Sequence, residues 1–298
     1  MTTRQLRYFL AVAEHRHFTR AAEASFVSQP ALSQQIQALE KELGTPLFDR
    51  LARGVELTVA GTVLSGYAEQ ILREMENARL AVEETTGRVR GELSLSAVHT
   101  ASVALVVEAL ASFRKAHPEV SVRMHEESSG RVVESVLSGH VNLGVTYLPV
   151  GHSILDEIPI FEEELMLVVP QGHPLVASGL TPDALSKLPL IVPPEGFCLR
   201  EGIDLALEPA VTHPTIMAEL SSVESICAAV QAELGATLLP ASYLNRKGGV
   251  PGLVGLSLPS GTPRRLVGAV RRTDRHLCLA TQAFLSCLTV RGEPESAK

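Results

Sequence analysis

The chain of 298 residues lacks the features that mark several common protein classes. Its four cysteines include no pair at CxxC spacing, which argues against a disulfide framework, and no histidine stands at metal-ligand spacing from a cysteine. No apolar run approaches the roughly eighteen residues of a membrane span, and charged residues fill the first helix, where a signal peptide is apolar. We therefore expect a cytoplasmic chain with no membrane partner, metal or cofactor.

Enzyme signatures and an excess of positive charge are missing as well. The sequence contains no phosphate-binding P-loop, no dinucleotide fingerprint, no zinc-protease motif and no nucleophile elbow, so we expect no enzymatic activity. The formal net charge of −7 argues against a generally basic nucleic-acid binder. Residues 1–60 nevertheless sum to +1 and residues 91–298 to −7, so the acidity belongs to the carboxy-terminal part.

Residues 18–40 have the pattern of two short helices joined by a tight turn, as in a helix-turn-helix. In the second helix, Leu32, Ile36, Leu39 and Leu43 recur at spacings of four, three and four, which predicts one buried stripe. Glutamine can bond bidentately to adenine, so the opposite polar face suits a DNA major groove. An ordinary solvated helix face is the alternative. The predicted cap and polar row are Ser28, Gln29, Pro30, Ser33, Gln34 and Gln37.

Two short extended runs, 46–50 and 55–58, follow this helix pair. They flank a basic, glycine-containing turn, which is typical of a wing that contacts the DNA backbone or minor groove. Arg50 and Arg53 are the candidate contact residues of this wing. A plain solvated hairpin would give the same pattern.

The segments 9–14, 18–22, 27–33, 39–40 and 43–50 closely resemble the amino-terminal domain of LysR-type transcriptional regulators. The resemblance implies a winged helix-turn-helix, a long linker helix and an effector-binding domain. It also implies double-stranded DNA, a small-molecule effector, RNA polymerase and further copies of the chain, as homodimer or homotetramer, as partners. Carried over by position, base and groove contacts fall on Gln29, Pro30, Ser33 and Gln34, phosphate contacts near Ser28, and a wing contact on Arg53. Gln34 stands where many members have Arg or Lys, so the preferred base is not inferred.

A helical pattern runs from about Val59 to Glu84 after Thr58, a plausible N-cap. Apolar residues recur along it as the a and d positions of a heptad seam. A helix of this length spans about 39 Å, more than a 60-residue head can cover, so we favour pairing with a second subunit over packing onto its own head. Residues 85–91 then break the pattern as a hinge. The predicted seam residues are Leu64, Ala68, Ile71, Met75, Ala78 and Val82.

Beyond residue 91, short apolar runs alternate with helical stretches, which predicts an α/β fold with a mainly parallel sheet. The expected fold is therefore multidomain: an all-α winged helix-turn-helix head at 1–58, a linker helix and hinge at 59–90, and a two-lobed α/β effector domain at 91–298. The family resemblance implies a periplasmic-binding-protein-like architecture for that domain. We expect lobe I at about 91–162 and 265–298, and lobe II at about 163–264.

The cleft between the two lobes is the expected ligand site, because ligands favour the carboxyl ends of strands in such folds. Hydroxyl groups beside free N–H groups at helix starts suit a small anion, although each Ser or Thr is equally explained as a plain helix cap. By position relative to the family, the candidate residues are His99, Thr100, Ser102, Ser128, Ser129, Tyr147, Cys198, Leu199, Arg200, Ser221 and Ser222.

Cys198 raises a separate possibility. Residues 196–201 resemble the peroxide-sensing loop of the OxyR branch, and a nearby arginine lowers the pKa of a thiol. Phe197 stands where that branch usually has His, and 201–210 contain no resolving Cys. The amino-terminal match is at least as close to regulators that respond to small anions, such as the cyanate-responsive branch, so the subgroup stays open.

Two alternatives come from other functional classes. A small-solute-binding protein without DNA function would explain 91–298, but it leaves the amino-terminal domain without a role. An enzyme in the two lobes would need a nucleophile and base that the sequence does not display.

Overall fold

The computed structural model describes residues 1–51, 54–84, 89–208, 215–246, 248–259, 261 and 263–292. The chain divides into two units, Met1–Arg88 and Val89–Lys298. Within the described residues, no helix combines the length and the apolar character that crossing a bilayer requires. The elements of the first unit, called the head below, are α1 (Thr3–His15), α2 (Phe18–Ala24), α3 (Gln29–Leu43), β1 (Phe48–Leu51), β2 (Gly54–Leu57) and α4 (Val59–Glu84).

Local signals fix the helix ends of the head. The Thr2 hydroxyl caps α1 in a reciprocal capping box with Gln5, and Ser28 caps α3 by accepting from the Ala31 N–H. Gly44 ends α3 with a φ of 72°, a left-handed conformation that glycine adopts without strain. The two helices of the predicted helix-turn-helix are therefore present, and α3 continues past residue 40 to Leu43. The predicted wing is also present, because β1 and β2 pair antiparallel with Phe48 opposite Leu57.

The head closes over an apolar core. The predicted stripe of Leu32, Ile36 and Leu39 is buried in it, together with Phe9, whose ring centroid lies 5.2 Å from that of Phe48. Leu43, predicted to continue the stripe, is 42% exposed because it is the last residue of α3 and lies past the core.

The heptad seam on α4 differs from the prediction in its first half. Ala68 is part of the head core, and Leu64 and Ile71 pack against that core. The head covers this part of the helix because α1 lies along α4. Only the second half of the predicted seam stays exposed: Met75, Ala78 and Val82.

A second apolar row on α4 was not predicted. Val59, Val63 and Tyr67 are exposed at four-residue spacing, which places them on one helix face. The head-facing stripe and this row lie on different sides of the helix, so α4 has two apolar faces rather than one seam.

Lobe I of the second unit is built around a five-stranded sheet with strand order β4-β3-β5-β12-β6. A π-helical turn, Ser102–Val106, joins α5 to α6. The helix α13 packs on α6, with the rings of Phe113 and Phe284 5.5 Å apart. The lobe I elements are β3 (Gly91–Ala97), α5 (His99–Ala101), α6 (Val107–Ala116), β4 (Val120–Glu126), α7 (Ser129–Leu137), β5 (Leu143–Leu148), β6 (Leu155–Glu163), β12 (Arg265–Arg272) and α13 (Leu279–Gly292).

Lobe II has its own core, formed around a three-stranded sheet of order β10-β7-β11 and a two-stranded sheet of β8 and β9. The chain enters lobe II between Glu163 and Leu165 and returns to lobe I at Arg265. The lobe II elements are β7 (Leu165–Pro170), α8 (Leu175–Ser178), α9 (Pro182–Ser186), β8 (Pro189–Val192), α10 (Cys198–Leu207), β9 (Thr215–Glu219), α11 (Val223–Gln231), β10 (Thr237–Pro240), α12 (Ala241–Leu244) and β11 (Leu253–Leu256).

The lobe I sheet is mixed, the three-stranded sheet of lobe II is antiparallel and the β8–β9 pair of lobe II is parallel, whereas the sequence predicted a mainly parallel arrangement. The strands β3, β4 and β5 are parallel, but the returning strand β12 runs antiparallel to β5 and β6. In lobe II, β7 is antiparallel to both of its neighbours. The predicted two-lobed α/β class is confirmed. The described antiparallel pairs of lobe I all involve β12, the strand that returns the chain from lobe II.

Candidate functional sites

The outer face of α3 is polar and open. Gln29, Pro30, Gln34 and Gln37 are exposed, as is the capping residue Ser28, and Ser33 is half-buried. The residues beneath them on the same helix belong to the closed core, so this face needs no contact within the head. An exposed α-helix with a row of amide and hydroxyl groups has the shape and chemistry of a major-groove reader.

The wing carries less structural information. Arg53 lies outside the described residues. For Arg50, only the backbone is described, in β1 opposite Val55. The wing is anchored to α3, because the Glu40 carboxylate accepts the Leu47 N–H at 2.8 Å.

A cavity of about 300 Å³ lies between the two lobes of the second unit. One wall comes from the ends of β3 and β4 in lobe I, and the other from the segment before α10 and the start of α11 in lobe II. Of the predicted effector residues, seven line it: His99, Thr100, Ser128, Cys198, Leu199, Ser221 and Ser222.

Three other predicted effector residues lie behind the lobe I wall. Ser102 is buried and donates to Glu126 at 2.6 Å. The Ser129 hydroxyl bonds the Thr146 hydroxyl at 2.5 Å. Tyr147 is a residue of β5 rather than of a loop after it, and its hydroxyl bonds Thr100 and is buried. All three hydroxyls have partners within the protein, and none of the three residues is part of the cavity lining.

Arg200 is also outside the cavity lining. Its buried guanidinium donates to Glu219 at 2.9 Å and to Asp204 at 3.0 Å, and these bonds raise its pKa against the effect of desolvation. It also donates to the Pro193 carbonyl. Arg200 therefore holds β9 and α10 together, and its described hydrogen bonds all go to groups other than Cys198.

The carboxylates of the cavity were not predicted from the sequence. Glu126, Glu127 and Glu224 all line it. The imidazole of His99 lies between two of them: Nδ1 is 2.7 Å from Oε2 of Glu126 in lobe I, and Nε2 is 2.7 Å from Oε1 of Glu224 in lobe II, the second contact lacking hydrogen-bond alignment. Glu126 and Glu127 directly precede Ser128, a predicted effector residue, so their position in the chain was sufficient to predict them as effector residues too.

Glu224 carries its charge in this setting. Desolvation would raise the pKa of this carboxyl, but the hydrogen bond from Ser222 and the contact with His99 outweigh it and keep the pKa below its usual value. Across the residues that the structure describes, no group of three or more His, Cys, Asp or Glu side chains has an arrangement suited to a metal ion.

A buried polar cluster lies where the chain crosses between lobes. Glu163, at the end of β6, accepts a hydrogen bond from Tyr147 at 2.9 Å and another from Ser242 of lobe II. Arg265, at the start of β12, stacks on the Tyr147 ring with 3.5 Å between Cζ and the ring centroid. Desolvation raises the pKa of Glu163 and that of Tyr147. This cluster joins both crossing strands to both lobes.

Cys198 faces the cavity as a neutral thiol. Desolvation raises its pKa, although Arg265 and the backbone N–H of Ser129 act in the opposite direction. The thiolate is the form that peroxide oxidises, so this setting disfavours a fast redox switch. The second cysteine of lobe II, Cys227, is buried and its pKa is raised as well.

The chain combines a winged helix-turn-helix head with a two-lobed unit that contains a ligand-sized cavity. This combination defines a class of protein, the ligand-responsive DNA-binding regulators. Comparison with known proteins supports this class for the whole chain. Residues 3–62 match the bacterial regulatory helix-turn-helix protein, lysR family, and residues 86–292 match the LysR substrate binding domain. The chain belongs to the LysR family of transcriptional regulators.

Named relatives agree with this family. The chain is 32% identical over 290 residues to a probable RuBisCO transcriptional regulator of Trichormus variabilis, covering 95% of this chain and 86% of that protein. It is 31% identical over 274 residues to the DNA-binding transcriptional dual regulator OxyR of Escherichia coli K12, covering 91% and 90%. The solved structure of full-length CbnR complexed with its target DNA has the same fold, with a TM-score of 0.76, 24% identity and coverage of 98% and 100%.

Proposed function

We propose that this LysR-type regulator reads a dyad DNA site with the outer face of α3 and responds to a small molecule in the cavity between the lobes. DNA reading by α3 is supported by its exposed polar row on a head whose core is closed beneath it. The row consists of Gln29, Pro30, Gln34 and Gln37. The family's helix-turn-helix match covers this row. We place the protein in the cytoplasm with its DNA, acting on transcription by RNA polymerase and not as an enzyme.

Assembly into a homo-oligomer is the second part of the proposal. The local charge of residues 1–60 is only +1, so a single head gains little from phosphate contacts, and two linked heads multiply their affinities. The exposed apolar row of Val59, Val63 and Tyr67, with Met75 and Val82 further along α4, offers surface for a second copy. A dimer, or a tetramer as a pair of dimers, would present two heads to the two half-sites of a dyad.

The response to the effector follows from the two-lobed unit. A ligand shifts an equilibrium only if it binds two arrangements with different affinity. The cavity has walls from both lobes, and His99 already contacts carboxylates on both sides, so occupancy of the cavity bears directly on how the lobes are held. A change there would alter the spacing of two heads in the assembly.

A gel-shift titration tests the DNA reading. The probe is a duplex with a dyad site from upstream of the gene, compared with a scrambled duplex. We expect Gln29→Ala and Ser33→Ala to lose about 1–3 kcal/mol of preference for the site, because each removes a base contact. Gln171→Ala, which truncates an exposed glutamine of the other unit, is the control and keeps the full preference.

Two outcomes would contradict this proposal. Wild-type protein that binds no DNA from its genomic neighbourhood at low salt would favour a solute-binding protein. Variants of α3 that bind the site as tightly as wild type would remove the assignment of this face, provided that thermal unfolding shows them to be folded.

A further inference from the structure

The ionisable side chains that line the cavity are three carboxylates, the imidazole of His99 and the thiol of Cys198. Glu126, Glu127 and Glu224 line it, and none of its described lining residues is Lys or Arg. Arg200 is paired with Asp204 and Glu219. Arg265, whose buried Nη1 has no hydrogen-bond partner among the described residues, stacks on the Tyr147 ring and donates to the Cys198 carbonyl, outside the cavity lining. A ligand anion would therefore meet three carboxylates, and the imidazole of His99 already lies between two of them, contrary to the expected small anion.

Glu127 is held in place as a hydrogen-bond acceptor. Its Oε2 accepts from Ser96 at 2.7 Å and from Ser135 at 2.8 Å, and Ser96 is buried in β3. Both bonds use the same carboxylate oxygen, which leaves Oε1 for a further donor. A fixed carboxylate with an oxygen to spare is pre-organised for a charged donor, because little side-chain entropy is lost on binding.

Some of the N–H groups at the helix starts around the cavity already have partners in the chain itself, although neither α7 nor α10 has a side-chain cap. At α11, the Ser222 hydroxyl accepts from the Ser225 N–H, and the Glu224 carboxylate bonds its own N–H. At α7 and α10, the N–H groups of Ser129 and Leu199 face the sulfur of Cys198. Terminal N–H groups are what would make these ends attractive to a ligand anion, and here protein atoms take that role.

The rest of the cavity is apolar. Its volume of about 300 Å³ suits a compact molecule, and its walls would pack against a short hydrocarbon body. Those walls are formed by Val98, Pro193, Phe197, Leu199, Val223 and Ile226.

We propose that the effector of this regulator is a small organic cation, with a protonated amine donating to Oε1 of Glu127 and a short apolar body against the walls. The assignment rests on the proposed function, since it names the ligand class of the same cavity. It also reverses the expectation from sequence, where the cavity hydroxyls alone suggested an anion.

Isothermal titration calorimetry of the full chain tests this assignment with three probes of nearly the same shape: isopentylamine, 3-methylbutan-1-ol and 3-methylbutanoate. We expect measurable binding of the amine, weaker binding of the alcohol and none of the carboxylate. In Glu127→Gln, the affinity for the amine falls about tenfold, because a charge-assisted hydrogen bond is lost. Glu162→Gln is the control, since Glu162 pairs with Arg264 outside the cavity lining and the variant loses the same charge.

The outcomes separate this assignment from the proposed function. Carboxylate binding as tight as amine binding, no amine binding, or an equal loss in Glu162→Gln would each overturn the assignment. A gel shift with the dyad duplex is run on the same preparations. Site-specific DNA binding without amine binding contradicts the ligand class alone, whereas amine binding without any DNA binding contradicts the DNA-reading proposal.

Discussion

The two units of the chain place their functional polar groups differently. In the head, the core is apolar and the proposed DNA contacts stand outside it on one helix face. In the second unit, carboxylates, hydroxyls and an arginine are enclosed between lobes, and each depends on partners far away in sequence. A DNA-reading surface can therefore be built from one periodic helix, whereas an enclosed ligand site must be built from long-range contacts.

The largest expected effect tests whether the two units unfold separately. Phe9 is fully buried in the head core, and Phe113 is fully buried in lobe I. Truncation of either ring leaves a cavity, so Phe9→Ala and Phe113→Ala should each cost about 3–5 kcal/mol in their own unit. Calorimetry should show two transitions, with each variant lowering a different one. A single transition that both variants lower equally would show that the units are not independent.

Burial of the Glu163 carboxyl should make the stability of the second unit depend on pH. The pKa of Glu163 is raised above its usual 4.5 in the folded state, chiefly by desolvation. Such a group contributes stability that is complete below 4.5 and is lost as the pH rises through the folded pKa. Between pH 4.5 and the raised pKa of the folded state, wild type should therefore lose stability relative to Glu163→Gln.

Urea unfolding of both proteins at a series of pH values measures this difference. A wild type that gains stability relative to Glu163→Gln as the pH rises would mean that Arg265 stabilises the ionised carboxylate. The contrast between the head and the second unit would then be weaker, because the enclosed cluster would hold an ionised Glu163 without losing stability.

A smaller effect is expected at the turn of the head. Phe26 has a φ of 54° and is 95% exposed, so it occupies a left-handed conformation without gaining burial. Asparagine tolerates this conformation better, and Phe26→Asn should stabilise the head by up to about 1 kcal/mol. Phe26→Ala, which removes the ring but keeps the strain, serves as its matched control in thermal unfolding. Equal stabilities of the two variants would refute the strain explanation.

The smallest effect is expected at Cys198. Because burial raises the pKa of its thiol, peroxide should leave the DNA affinity of wild type and of Cys198→Ser equally unchanged. Gel shifts before and after peroxide treatment measure this. A peroxide response in wild type that disappears in Cys198→Ser would restore the thiol-switch alternative.

The sequence predicted the head well because helical period determines which side of α3 is buried. Leu32, Ile36 and Leu39 needed no knowledge of the rest of the chain. The cavity was predicted only in part, because the directions of Ser102 and Arg200 are set by Glu126 and Glu219, which other elements bring to them. Periodicity along one segment contains no information about such partners.

Two further differences have local causes. Strand β6 is hard to recognise from the sequence because Pro159 lies within it, and an edge strand tolerates this proline at an irregularity in its pairing. The seam on α4 was read as one stripe because the spacing of Leu64 and Ala68 is the same whether the head or a second copy covers them. Only the packing of α1 on α4 distinguishes the two.

Footprinting of wild-type protein on its dyad DNA tests whether two copies of α3 read the two half-sites together. Two exposed α3 faces in one assembly should protect two half-sites related by a dyad, with centres separated by about one helical turn of DNA or a multiple of it. We expect both half-sites to be protected together and Gln29→Ala to weaken the protection of both equally. Protection of a single half-site, or none at low salt, would contradict this expectation.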